Sequence, residues 1–556
     1  MRYLILIFTV FLSFQSLAQF KLAPQKYWIQ FTDKNNSKYS LDFPNLFLSE
    51  RAIERRERYN IDYSFSDLPV NQNYKDSLVK LGFNVLNISK WLNGAIVQTD
   101  DTTLLEKVTH FSFVKPFLNL KIAVSKNIPS LKKNTEVLLN NHSIQNLFSV
   151  YDYGDSFNQI ELSNGQVLHS KGFDGKGMLI AVIDAGFYKV NSLNGFDSLW
   201  ANNQIIATRD FVKGNFAPVS YTGSTHGMQV LSNIGGNIPG KLIGTAPKAN
   251  FCLLRSEDAN SENIIEEFNW TVAAEYADSL GVDVINTSLG YSIFDDPTKS
   301  HTYADLDGKT TVVARAATLC ARKGILVVAS AGNDGDSDWK YIASPADADS
   351  ILTVGSVDNA GSYSSFSSIG PSADWRTKPN VMAKGAATTV QSPSGGITVS
   401  YGTSFSSPVM AGMVASLWQA FPKLTNQQII KAIELFSDQY ENPTPSMGYG
   451  IPDFAKTFLY LEAIQNTHFE DNKPYRIYPN PAHDKFNIDF YTSEKNTFQI
   501  EIRTTLGQIE YSNQFEMNAN TFQHIEIDEL INKSSGIYII RISTEKRIYQ
   551  EKILIN

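Results

Sequence analysis

The sequence predicts a doubly wound α/β domain with a mainly parallel sheet, between an N-terminal α+β segment and a small C-terminal β-sandwich. Three observations carry this. Between about residues 158 and 467, short apolar runs (178–183, 251–254, 282–285, 325–329 and 351–354) alternate with amphipathic stretches. Runs without polar alternation suit strands buried on both faces, and their alternation with helices suits a parallel, doubly wound sheet. Outside this zone the pattern is period-two, at 27–31 and 94–97 before it and at 486–490, 498–502, 537–542 and 548–555 after it.

The helices carry start and stop signals. Ile264, Ile265, Phe268, Val272 and Tyr276 form one apolar stripe that ends at Gly281, and residues 312–323 stop at Gly324 in the same way. Thr425 is placed to cap a helix carrying Ile429, Ile430, Ile433 and Phe436. Residues 49–59 interleave Glu50, Glu54 and Glu57 with Arg51, Arg55, Arg56 and Arg58, the composition of a solvated helix face.

The 556 residues imply several domains, and 42% hydrophobic with 19% charged residues is a globular composition. A net charge of −8 argues against a general nucleic-acid binder. Arg2, the apolar run 4–14 and the small residues around Ser16-Leu17-Ala18 read as a secretory signal peptide cut after Ala18. The run falls short of the ~20 helical residues that span a bilayer, so no transmembrane segment is expected in the mature chain. The expected organisation is signal peptide 1–18, N-terminal domain 19–134, Asn- and Ser-rich linker 135–157, central domain 158–467 and C-terminal sandwich 475–556. Cys252 and Cys320 sit in apolar segments and read as buried free thiols.

Three residues of catalytic type fall at loop positions. Asp184 directly follows six apolar residues, where functional groups collect beyond the carboxyl ends of parallel strands. His226 lies between Gly223 and Gly227 at a helix start. Ser404 lies in Gly402-Thr403-Ser404-Phe405-Ser406-Ser407-Pro408 before a helical stretch, where free N–H groups favour developing negative charge. Pro408 reads as a first-turn proline, whose missing donor costs nothing there. Asn333, in Ala331-Gly332-Asn333-Asp334-Gly335, can offer its side-chain amide to an oxyanion, with the Ser404 N–H as second donor.

Together these motifs resemble the subtilisin-like serine peptidases, the subtilase family, in the order Asp…His…Ser. Val182-Ile183-Asp184-Ala185-Gly186, His226-Gly227-Met228, Gly244-Thr245-Ala246-Pro247 and the Ser404 segment are similar to that family's motifs, with Phe405 where Met is typical. The resemblance implies Ser404 as nucleophile, His226 as general base, Asp184 as its orienting partner and Asn333 in the oxyanion site. It also implies that Ser288, Leu289 and Gly290 bind protein or peptide substrates as an added strand. Residues 19–134 stand where the family carries a propeptide. Tyr478-Pro479-Asn480-Pro481-Ala482, Leu506-Gly507, Gly536-Ile537-Tyr538 and Lys552-Ile553 resemble a type IX secretion sorting domain, which implies the secretion machinery as partner and a secreted or cell-surface location.

Members of the family often bind calcium, but no acidic cluster in this sequence matches such a site, and no metal or cofactor is expected to be required. The sequence has no G-x-S-x-G and no H-E-x-x-H, which argues against an α/β-hydrolase esterase and a zinc peptidase. The competing expectation is an inert subtilase-like scaffold for binding or adhesion; the intact Asp184, His226, Ser404 and Asn333 weigh against it.

Overall fold

The computed structural model describes residues 21–115, 150–466 and, with short gaps, 475–555. The expected signal peptide and residues 135–149 of the expected linker lie outside the described residues. The chain divides into two units, Met1–Phe458 and Leu459–Asn556.

The first unit opens with a four-stranded antiparallel sheet of order β1-β2-β4-β3, formed by β1 (Lys21–Ala23), β2 (Lys26–Gln30), β3 (Asn84–Ser89) and β4 (Gly94–Gln98). Helices α1 (Glu50–Arg58) and α2 (Gln72–Leu81) lie between β2 and β3, and α3 (Thr103–Val108) follows β4. Period-two alternation gives this sheet two apolar faces. Ile29, Ala95 and Val97 pack with Leu78 and Val108 of its own helices. Trp28, Leu86 and Ile96 point the other way, into the core of the central domain.

Helix α1 has the expected solvated face at Glu50, Glu54, Glu57 and Arg58, which are exposed, and the correction concerns its other side. Arg55 and Arg56 are buried at 3% and 1% exposure. The helix faces the central domain, where Asp278 supplies the counter-charge that lets the two guanidinium groups leave water.

The central domain holds seven strands in a parallel sheet of order β11-β10-β9-β8-β5-β7-β6. In chain order these are β5 (Leu179–Asp184), β6 (Ile205–Asp210), β7 (Asn250–Arg255), β8 (Val284–Thr287), β9 (Leu326–Ser330), β10 (Leu352–Val357) and β11 (Val381–Lys384). Between and after them run α4 (His226–Gly235), α5 (Ile265–Leu280), α6 (Val312–Arg322), α7 (Thr403–Ala420) and α8 (Asn426–Leu435). The five apolar runs of the sequence become the five inner strands, each at least half-buried throughout. The third begins two residues later than its apolar run. Val282 and Asp283 link α5 to the sheet, and the Asp283 carboxylate accepts from Leu179 N (2.8 Å).

Gly281 and Gly324 end α5 and α6 with positive φ of 82° and 84°, the left-handed conformation that closes a helix most cheaply at glycine. Thr425 caps α8 in a capping box with Gln428.

Registers bring the carboxyl ends of three inner strands together: Ile183 stands beside Thr287, and Thr287 beside Ala329. Helix α7 packs on β8, β9, β10 and β11 and is buried through nearly all its length, with an apolar stretch from Pro408 to Trp418 broken only by Ser416. It starts at Thr403, so Pro408 falls in the second turn rather than the first. The carbonyl that Pro408 cannot bond is that of Ser404, and it accepts instead from the Ser288 hydroxyl at 2.8 Å.

The second unit is a two-sheet β structure. β14 (Tyr475–Tyr478), β15 (Phe486–Thr492) and β18 (Thr521–Ile527) form one sheet; β16 (Asn496–Thr504), β17 (Ile509–Met517), β19 (Gly536–Ser543) and β20 (Ile548–Ile555) form the other, after a hairpin β12 (Thr388–Gln391) and β13 (Ile397–Ser400) in the first unit. Phe486, Phe490, Phe498, Ile540 and Ile553 fill its core. Asn480 donates to Lys552 O (2.8 Å) and accepts from Leu554 N (3.0 Å), so the Tyr-Pro-Asn-Pro segment is tied to the terminal strand.

Gly412 of α7 packs flush on Thr245: a Cβ there would lie 2.0 Å from Thr245 Oγ1 and 2.9 Å from its carbonyl carbon. Gly412→Ala should destabilise the first unit by about 1–3 kcal/mol through overpacking, read as a lower thermal midpoint; an unchanged midpoint contradicts this packing.

Candidate active site

Asp184 ends β5 and is fully buried. A carboxylate there needs partners. Its Oδ1 accepts from Ala185 N and from His226 Nδ1, each at 2.7 Å. His226 is the first residue of α4, and its backbone N–H donates to Ser224 Oγ at 3.2 Å. The helix starts this close to the β5 turn because the next residue is Gly227, where a Cβ would lie 2.6 Å from Gly186 O and 2.8 Å from Asp184 Cβ. The bond orients the ring and fixes its Nδ1 as the donor. The imidazole is 32% exposed, so the rest of the ring faces outward.

Burial alone would lower the proton affinity of His226, but the charge and hydrogen bond of Asp184, with a smaller contribution from Glu257, outweigh it. The ring is held above its ordinary 6.5.

Ser404 is the second residue of α7 and buried. Its hydroxyl donates to Ser288 O at 3.3 Å, and among the described residues no hydrogen bond joins it to His226. The Phe405 ring lies 6.1 Å from the imidazole, centre to centre, so the two side chains stand on neighbouring elements.

Asn333 follows β9 and meets the start of α7. Its Oδ1 accepts from Thr403 N (2.8 Å) and from the Thr403 hydroxyl (3.1 Å). The amide oxygen is thereby used, which turns the NH2 end into the group available to a ligand. Gly402, with φ of 142°, takes the chain past this amide in a conformation suited to glycine.

Ser288, Leu289 and Gly290 follow β8, with Ser288 buried and Gly290 exposed. Ser288 Oγ accepts from Asn286 Nδ2 (3.2 Å) and donates to Ser404 O (2.8 Å), and Asn286 Oδ1 accepts from Ser407 (2.8 Å), so the end of β8 and α7 are bonded at two points.

The structure thus brings Asp184 into contact with His226, Ser404 with Ser288, and Asn333 with Thr403. Two contributors escaped the sequence reading. Thr403 lies inside the Gly402–Pro408 motif, but its anchoring of Asn333 depends on how β9 and α7 meet in the fold. Glu257 follows β7, and burial pushes its carboxyl up to about 7 against hydrogen bonds from Tyr291 and Ser256. Nothing in Ser256-Glu257-Asp258 marks it as buried. No three His, Cys, Asp or Glu side chains are grouped to hold a metal among the described residues.

A carboxylate-bound imidazole and a helix-borne serine at the carboxyl ends of parallel strands define the class: an α/β domain built like a serine hydrolase. Residues 175–451 match the Subtilase family, 26–137 the Peptidase S8 propeptide domain of Bacteroidota and 476–556 the Secretion system C-terminal sorting domain. Subtilisin of Bacillus pumilus is 31% identical over 270 residues, 48% of this chain and 86% of that one. Subtilisin NAT of Bacillus subtilis subsp. natto is 31% identical over the same length, where the match spans 62% of that protein. The prenylagaramide maturation protease PagA aligns with 53% of this chain and 98% of its own, at 22% identity and a TM-score of 0.43. The chain belongs to the subtilase family.

His226 should titrate above 6.5 in labelled protein followed by NMR, and Asp184→Asn should bring its pKa down, because burial then acts with the carboxylate charge removed. A titration at or below 6.5 in the parent contradicts this electrostatic arrangement.

Proposed function

We propose that this chain is a secreted serine endopeptidase that cuts peptide bonds through Asp184, His226 and Ser404 and an acyl-enzyme. The observation that carries the reading is the 2.7 Å Asp184–His226 bond beside the helix-borne Ser404. The substrate chain lies along Ser288, Leu289 and Gly290 as an added strand, which aligns its carbonyl with the start of α7. His226 Nε2 takes the Ser404 proton as Oγ forms a bond to the carbonyl carbon. Asp184 stabilises the imidazolium without taking the proton.

The negative charge then moves to the carbonyl oxygen. Asn333 Nδ2 and the Ser404 N–H donate to it, and the positive end of the α7 dipole adds to their effect. His226 returns the proton to the departing amine, and the peptide bond breaks to leave an ester on Ser404. Water, deprotonated by His226, attacks that ester and regenerates the hydroxyl. No metal or cofactor takes part in these steps. His226 must be neutral to begin, so activity falls as pH drops through its raised pKa.

Residues 19–134 are read as a propeptide that is cut from the peptidase domain within 135–157, after removal of a signal peptide at 1–18. The C-terminal unit directs export through the type IX machinery. The matches to a propeptide and a sorting domain support both assignments.

Parent and Ser404→Ala chains, expressed side by side, test the reading by intact mass and casein hydrolysis. The parent should lose its N-terminal segment and digest casein in a manner blocked by phenylmethylsulfonyl fluoride. The variant should do neither, with kcat down about a millionfold, the scale for loss of such a nucleophile. Equal casein hydrolysis by both refutes the reading.

A further inference from the structure

The N-terminal domain meets the central domain through a buried charge cluster that plays no part in the chemistry above. Helix α1 lies across the points where α5 and α6 end. A Cβ on Gly281 would lie 2.7 Å from Ala52 N of α1, and one on Gly324 would lie 2.8 Å from Ile61 Cδ1, just beyond the helix, and 3.6 Å from Arg55 Cδ, so both terminal glycines lie close against this segment. Helices end in unpaired carbonyls and partial negative charge. Arg55 serves both ends at once. Its guanidinium donates to Asp278 O (3.2 Å) and Val282 O at the end of α5, and to Lys323 O (3.1 Å) at the end of α6.

The carboxylate of Asp278 is the centre of the cluster and is fully buried. Arg55 reaches its Oδ1 at 2.5 Å, Arg56 Nη2 reaches Oδ1 and Oδ2 at 3.0 and 2.9 Å, and Lys90 stands 3.7 Å away. The exchange is reciprocal: Asp67 of the N-terminal domain accepts from Lys323 of the central domain at 2.7 Å. Burial pushes the Asp278 carboxyl up, yet Arg56, Lys90, Arg55 and Lys323 prevail and hold it down to about 2. Glu275, one turn earlier on α5, accepts from Lys90 N (2.7 Å) and Trp91 N (3.1 Å).

The cations paired directly with Asp278 all belong to the N-terminal domain. When that domain is absent, Asp278 can be hydrated; when it is docked, the carboxylate is wholly buried and must be paired. A domain without the Arg55–Arg56 pair would bury the charge unpaired, a penalty that discriminates against wrong partners more sharply than apolar contact does.

We propose that Asp278 is the recognition residue by which the peptidase domain accepts its own N-terminal domain, reading the Arg55–Arg56 pair and retaining the domain after the connecting chain is cut. This rests on the propeptide reading of residues 19–134.

The test uses the full Ser404→Ala chain with a recognition sequence for a site-specific external protease inserted between Asn134 and Thr135. After cutting, the N-terminal fragment is followed by size exclusion, and its dissociation constant by serial dilution. The fragment of the parent should co-elute with the remainder. Asp278→Asn should weaken its binding about a hundredfold or more, the scale for breaking a buried pair. Arg55→Gln/Arg56→Gln should do the same from the other side, and combining the changes should add little. Unchanged binding in Asp278→Asn overturns the proposal; should that variant not fold, unchanged binding in the double-arginine variant overturns it equally. A parent fragment that separates on cutting instead refutes the docked propeptide itself.

Discussion

A helix buried on every side must find partners for the amides of its first turn and for any carbonyl left unpaired within it. Helix α7 meets this demand with the residues that form the candidate site. Asn333 Oδ1 accepts from the Thr403 N–H, and the Ser288 hydroxyl donates to the Ser404 carbonyl that Pro408 leaves free. The same bonds that let α7 enter the core also turn the Asn333 amide outward and hold the Ser288–Gly290 segment beside Ser404. Satisfying the helix and arranging the chemistry are one operation.

The second constraint is electrostatic. Asp184 is taken wholly out of water at the end of an apolar strand, and a carboxylate so placed must be paired. Its partners are a backbone N–H and the His226 ring, brought close by a glycine that alone fits against the β5 turn. The cost of burying the carboxylate is offset by a bond that also makes His226 a stronger base. At the far side of α5 the same rule acts at larger scale, where Asp278 is buried under two arginines and a lysine of the N-terminal domain.

The inner sheet was legible because strands buried on both faces read as unbroken apolar runs. The edge strands were not. β6 mixes exposed, half-buried and buried residues without a clean alternation, and β11 has only three apolar residues before it ends on Lys384. In the C-terminal unit, β15, β16 and the last two strands could be read from alternation, whereas β17 carries mostly polar, exposed residues and could not. Of the site, the candidate letters and their order were visible, since each sits at a glycine-bearing strand end or helix start. The role of Pro408 was not, because it depends on where α7 begins. Burial of Arg55 and Arg56 was invisible for a plainer reason: the partner that makes it tolerable lies 223 positions along the chain from Arg55.

The central claim is that Ser404 is a nucleophile activated by the Asp184–His226 pair. The most direct measurement treats the processed protein with diisopropyl fluorophosphate and locates the adduct by peptide mass spectrometry. The account predicts one phosphoryl group, on the peptide carrying Ser404, and its loss in a folded His226→Ala variant. Label on a different serine, or none in a folded and processed parent, would contradict it.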